Sequence, residues 1–431
     1  MKLRRLRSAN KEALFKKEKR GLKMQDKILW VLNEQARGDY KSKTSIDFVS
    51  PDEVKKVRGF HKNFAEYKVT PLWDLQNLAG ELGVSKIWVK DESYRFGLNA
   101  FKVLGGSYAI GKYLSEKLGM EIKDLTFDLL KSPEIKKKLG DLVFVTATDG
   151  NHGRGVAWAA RQLGQKAVVF MPKGSVEARI ENIKREGAQV FVTDFNYDES
   201  VRMANEYAQQ HNGIMVQDTA WDNYVKIPTW IMQGYATIAD EVNEQLKGEM
   251  PTHIFLQAGV GSFATTIIGY FANLGGENRP VSVIVEPDKA DCFYKSAKIN
   301  DGQPHAVTGG LETIMAGLSC GEPNIIAWDI ARDYADAFFS CPDYVSSRGT
   351  RILANPLGND PRVISGESGS VGAGLISLLL EQKAYQEVVK LLKLDQHSKI
   401  LVISTEGDTD PVRYRKILWD GFWELPEEDS I

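Results

Sequence analysis

Only 3 of the 431 residues are cysteine and 6 are histidine. Cys292, Cys320 and Cys341 show no Cys-x-x-Cys spacing and the histidines are scattered, so neither a zinc site nor an iron–sulfur cluster is expected. Such sparing use suits a cytoplasmic enzyme, with a Cys292–Cys320 bridge left open. A surplus of one charge is missing too. The 55 basic and 57 acidic side chains leave a formal net charge of −2, which argues against binding nucleic acid or a membrane surface. Long apolar runs are absent: the longest uncharged stretch, 254–276, is broken by five glycines and by Gln257, Ser262, Thr265 and Thr266. It reads as a glycine loop and a buried helix, not a membrane span.

What the chain does have is core. At 43% hydrophobic and 10% aromatic it escapes the disordered class, and its length suits two or three domains. One segment breaks the charge balance, with eleven Lys or Arg against Glu12, Glu18 and Asp26 in residues 1–27. No apolar run follows, so residues 1–30 read as a solvated basic arm and not a secretory signal.

Short β-branched runs at 87–89, 142–145, 167–170, 189–192, 254–256, 281–285 and 400–403 alternate with amphipathic stretches at 156–163, 179–186 and 263–274. This order predicts an α/β fold with open, twisted, mainly parallel sheets flanked by helices. In such sheets ligands gather at the carboxyl ends of the strands, so the residues just after each strand carry the interest.

Gln257-Ala258-Gly259-Val260-Gly261-Ser262 follows one of these strands and opens a helix, the arrangement that presents backbone N–H groups to a phosphate. Gly259-x-Gly261-x-x-Ala264 also fits a dinucleotide fingerprint, with Glu286, 22 residues past Ala264, where a ribose-binding acid would stand. A nicotinamide-dependent oxidoreductase is therefore a rival, and a packing turn with no ligand is the plain alternative. Upstream, the polar segment Lys90-Asp91-Glu92-Ser93 leads to Lys102 at the start of a helix. A lysine there can form a Schiff base with an aldehyde cofactor, though most lysines are solvated surface groups. Then a strand turns sharply through Asp149-Gly150-Asn151-His152-Gly153-Arg154-Gly155, whose three glycines let backbone approach a flat ligand.

With that segment the chain resembles the fold-type II family of pyridoxal-phosphate enzymes, which includes threonine and serine dehydratases and serine racemase. The resemblance implies two sheets with a smaller domain (106–235) inserted into a larger pyridoxal-phosphate-binding one (31–105 and 236–431), and a homodimer. It implies pyridoxal 5'-phosphate as cofactor, Lys102 as its Schiff-base lysine and Asn151 beside the phenolic oxygen. Gly259, Val260, Gly261 and Ser262 would form the phosphate cradle. Thr405, with Ser404 as second choice, would meet the pyridine nitrogen, and the loop 365–369 would lie near the cofactor edge. Lys173 and Tyr235 are pocket candidates; His152 is more readily a packed side chain than a catalyst.

Two departures from the general pattern narrow the resemblance. Ala100 replaces the serine of Ser-x-Lys, and Asp149 stands where the family has the serine of Ser-Gly-Asn-His. Both, and long blocks from about residue 60 to 419, look like the diaminopropionate ammonia-lyases. That subgroup implies elimination of ammonia from D- and L-2,3-diaminopropionate, a small amino-acid substrate, to give pyruvate and two ammonia. The α-protons of the two enantiomers point to opposite faces, so one base cannot reach both. The resemblance assigns Asp149 to the D-substrate and leaves Asp218 and Lys102 for the L-substrate. Asp218 is also a candidate to hold the departing β-amine, a role suited to a carboxyl raised by burial. The plain alternatives are a helix N-cap for Asp149 and a loop aspartate for Asp218. A serine or threonine dehydratase and a binding protein without activity remain as rivals, disfavoured by Asp149 and by the joint presence of Lys102, Asp149 and Asn151.

Overall fold

A computed structural model describes residues 27–37, 43–148 and 150–424 of the chain. Most of the basic arm, 1–26, and Asp149 lie outside the described residues. Among the described residues the chain forms eleven strands: β1 (Leu29–Leu32), β2 (Leu72–Asp74), β3 (Lys86–Asp91), β4 (Val143–Ala147), β5 (Lys166–Met171), β6 (Gln189–Val192), β7 (Ile214–Met215), β8 (His253–Gln257), β9 (Val281–Pro287), β10 (Ala337–Cys341) and β11 (Lys399–Ser404). They make two sheets.

The larger sheet runs β1-β10-β9-β8-β11-β3-β2 and the smaller β6-β5-β4-β7. Interior pairs are parallel, as in β8 on β9 from His253↔Val281 to Gln257↔Val285. Only the two outer pairs of the large sheet, β1 on β10 and β2 on β3, are antiparallel. Burial explains the composition. Strands β8 and β10 are buried throughout and β9 and β11 after their first residue, so helices cover both faces and apolar residues follow one another without alternation. Strand β6, at an edge of the small sheet, is mostly exposed. Residues 143–215 build the small sheet, and the segments on either side build the large one.

Two readings of the sequence need correction. Strand β1 takes up Leu29 and Trp30, the last residues assigned to the arm. The segment 90–93 is not a polar loop: Lys90 ends inside β3, and Lys90, Glu92 and Arg95 are fully buried around Glu241. There Glu241 Oε2 accepts from Lys90 Nζ at 2.8 Å and from Arg95 Nη2 at 2.8 Å, and Glu92 Oε2 accepts from Arg95 Nε at 2.8 Å. Two cations and two carboxylates cancel, the condition under which buried charge is tolerated.

Helix Asn151–Gln162 packs directly on the start of helix Val103–Leu118. The contact needs a glycine: a Cβ on Gly155 would lie 2.7 Å from Val103 Cα and 3.2 Å from the carbonyl carbon of Lys102. Backbone against backbone at this point sets how far Asn151 stands from Lys102.

Candidate active site

Lys102 sits at the N-cap of helix Val103–Leu118. The segment before it is tied to the end of β11: Phe101 N donates to Thr405 O at 3.1 Å, and Ala100 bridges Glu406. One cavity results, lined by Lys102, Asn151, Asp218, the turn 258–264, Thr405 and Glu406, with Phe101, Tyr235 and Ser368 also on its wall. Asn151, Asp218, the turn 258–264 and Thr405–Glu406 follow strands β4, β7, β8 and β11, so the carboxyl-end rule places them together.

Lys102 Nζ donates to Asp218 Oδ2 at 2.7 Å. The other carboxylate oxygen accepts from Tyr197 Oη and Gln217 Nε2, each at 3.3 Å. Burial alone would raise this carboxyl; the Lys102 ammonium, the nearby His152 and the hydrogen bonds from Lys102 and Tyr197 outweigh it and hold Asp218 down at about 2. The rise expected from burial is thus reversed by the lysine. Asp218 is an ion with both oxygens engaged. His152 is held as a packed side chain: its Nε2 donates to the Val216 carbonyl at 2.8 Å, and its Nδ1 is 3.9 Å from Asp218 Oδ2.

The glycine turn adopts the shape its residues permit. Gly261 has φ +90°, and a Cβ there would meet the Phe293 ring at 2.2 Å. Helix Ser262–Gly275 starts at once, and the first turn of a helix has N–H groups without intrahelical acceptors. The Ser262 hydroxyl is already engaged, donating to Asp218 O at 2.5 Å and accepting from Asn324 Nδ2 at 2.8 Å. Backbone N–H groups are therefore the donors this turn has for a phosphate.

At the opposite wall, Gln257 Nε2 donates to Thr405 Oγ1 and to Ile403 O, both at 2.8 Å. With its oxygen accepting there, the Thr405 proton is left to donate into the cavity. Ser404 does not line the cavity; its hydroxyl is 2.8 Å from Ser365 Oγ. Asn151 Nδ2 donates to Glu406 Oε2 at 2.6 Å. Behind Glu406 stands Glu367, which burial, and after it the charge of Glu406, push up to about 7. Thr148 Oγ1 accepts from Gly150 N at 2.9 Å and Gly153 N at 3.0 Å, so a hydroxyl caps the 150–153 turn. Lys173 lines a separate cavity with Arg179 and Arg413.

Glu286 is no ribose ligand: it is fully buried and its carboxyl accepts the N–H groups of Phe293 and Tyr294, capping helix Cys292–Ile299. This removes the acid that the nicotinamide reading needed. Cys292, Cys320 and Cys341 are buried, and no disulfide joins them among the described residues. Sequence reasoning passed over Glu406, Gln257 and Tyr197. Gln257 and Glu406 stand at strand ends, the position that marks them; Tyr197 carries no such signal.

The donor set fits a pyridoxal phosphate. An amine, a backbone phosphate cradle, an asparagine amide and a hydroxyl donor face one another, and Gly259 keeps the cradle thin, since a Cβ there would meet Leu318 Cα at 3.2 Å. A family model described as pyridoxal-phosphate dependent enzyme matches residues 64–393. The chain belongs to that family, and pyridoxal phosphate is its cofactor. Within the family it is 53% identical over 389 residues to the diaminopropionate ammonia-lyase of Salmonella typhimurium, covering 89% of this chain and 96% of that protein. Two solved structures of the Escherichia coli diaminopropionate ammonia lyase, one with an aminoacrylate-PLP azomethine reaction intermediate and one with D-serine, are each 48% identical to it. Each covers 93% of this chain and 99% of the solved one, at TM-scores of 0.84 and 0.85.

Proposed function

We propose that the chain is a diaminopropionate ammonia-lyase, converting D- and L-2,3-diaminopropionate to pyruvate and two ammonia by α,β-elimination. The observation that carries this is the Lys102–Asp218 pair at 2.7 Å inside a cavity that also holds Asn151, Thr405 and the turn 259–262.

When bound, pyridoxal phosphate supplies an electron sink for charge developing at the substrate Cα. Lys102 would hold it through its amine, the N–H groups of 259–262 through its phosphate, Asn151 beside its phenolic oxygen and Thr405 at its ring nitrogen. Gln257 fixes Thr405 as the donor. Asp149 takes the α-proton of the D-substrate; Lys102, steered by Asp218, takes that of the L-substrate from the other face. Asp218 is then a positioning residue that keeps the Lys102 nitrogen on the reacting side. As the Cα–H electrons form the new C=C bond, the Cβ–N bond breaks and its pair leaves with nitrogen as ammonia. The released enamine hydrolyses to pyruvate and the second ammonia. The protein works as a homodimer in this reading, with 31–105 and 236–431 as the larger domain and 106–235 as the smaller. Among the described residues no helix is long and apolar enough to cross a membrane.

The test is ammonia release from each enantiomer of diaminopropionate against D- and L-serine. Turnover of both diaminopropionate enantiomers well above either serine supports the reading; a preference for serine makes the chain a dehydratase.

A further inference from the structure

Glu406 is 1% exposed and lines the cavity that holds Lys102. Its Oε2 is anchored by Asn151 Nδ2 at 2.6 Å and by Thr409 Oγ1 at 2.9 Å. Its Oε1 has no hydrogen-bond partner. A second acceptor on the same wall, Gln257 Oε1, is likewise unpaired and buried. Buried acceptors left without donors are costly, and a carboxylate more so than an amide. The cofactor does not answer this need. Phosphate oxygens and a phenolic oxygen are acceptors themselves, and the ring nitrogen would be met by Thr405. A cationic donor brought by the substrate would meet this acceptor.

We propose that Glu406 receives the β-ammonium of the substrate and sets the preference for a diamino acid over its hydroxy analogue, serine. The inference rests on the proposed function, since it names the group of that substrate which Glu406 binds. Asp218 serves Lys102 instead: its Oδ2 faces Lys102 Nζ, and its Oδ1 is held by Tyr197 and Gln217. Serine offers a neutral hydroxyl where diaminopropionate offers three N–H donors and a positive charge, so the carboxylate discriminates by charge-assisted hydrogen bonding. Held against a carboxylate, the β-amine stays protonated; when the Cβ–N bond breaks, its electron pair goes to nitrogen and neutral ammonia departs with no further proton needed.

The experiment titrates the holoenzyme with L-2,3-diaminopropionate and with L-serine, following the visible absorption of the cofactor to obtain both dissociation constants. Wild type, Glu406→Gln, Glu406→Asp and Asp149→Asn are compared, with kcat and KM measured alongside. Glu406→Gln keeps the shape and an acceptor for Asn151 but removes the charge. It should weaken diaminopropionate by at least about tenfold while serine stays within about threefold, and the loss should appear in KM more than in kcat. Glu406→Asp, which retains the charge one methylene back, should lose less and covers the case in which the glutamine variant does not load cofactor. Equal weakening of both ligands would make Glu406 a support for Asn151 and overturn the proposal. So would an unchanged preference, or a preference lost in Asp149→Asn instead. A wild type that releases no ammonia from diaminopropionate overturns the proposed function itself, before Glu406 is in question.

Discussion

Gly155→Ala would test how the fold sets the distance between Asn151 and Lys102. The new Cβ would lie 2.7 Å from Val103 Cα and 2.9 Å from Val103 N, both backbone atoms of helix Val103–Leu118. Carbon atoms rest at about 3.5–4.0 Å, so the helices must part by about 1 Å. No side chain can swing away to absorb it. Overpacking of this kind costs roughly 1–3 kcal/mol, and a displacement of about 1 Å at a reacting centre can cost on the order of 100-fold in rate. Gly59→Ala is the internal control: it lies in helix Pro51–His61 with nothing within 4 Å of its Cβ, and should stabilise by about 0.5–1 kcal/mol. Denaturant midpoints, cofactor affinity and kcat of the two variants decide the matter. A Gly155→Ala protein with wild-type stability and kcat would refute the claim that this backbone contact positions the site.

Four further outcomes are expected. Asp149→Asn should lose D-diaminopropionate turnover by about 100- to 10,000-fold while keeping much of the L activity, measured with each pure enantiomer. Lys102→Ala should lose the visible absorption of bound cofactor and both activities. Glu241→Gln leaves Lys90 and Arg95 sharing only Glu92 and should destabilise by about 3–5 kcal/mol in chemical denaturation. In the cofactor-free protein Asp218 is held at about 2 against an ordinary 3.8, so the unfolded chain takes up the proton first as pH falls. Its contribution, about 2 kcal/mol, is present above pH 4 and vanishes as pH falls through 2, and the difference in acid stability between wild type and Asp218→Asn should show it.

The parallel strands were legible because burial on both faces writes them as unbroken apolar runs; Ile400–Ser404 and Val281–Val285 need no alternation to be seen. Strands β2 and β7, three and two residues long, have too few positions for any period. Strand β10 was readable in hindsight, since Ala337–Cys341 is apolar apart from Ser340 and stands between Asp336 and Pro342. At the site, Lys102, Asn151 and the glycine turn show themselves by residue type and spacing. The state of Asp218 does not, because its sign depends on Lys102, 116 residues away, at 2.7 Å. The end of β11 separates Thr405 from Ser404: Ser404, its last residue, turns to Ser365, and Thr405 just beyond it reaches the cavity. Glu406 escaped notice since a charged residue after a strand is usually solvated.

The most direct check on the whole account is the ratio of ammonia to pyruvate released by the holoenzyme from each enantiomer of 2,3-diaminopropionate. Elimination followed by hydrolysis predicts two ammonia per pyruvate from both. One ammonia per pyruvate, or release from neither enantiomer, would contradict it.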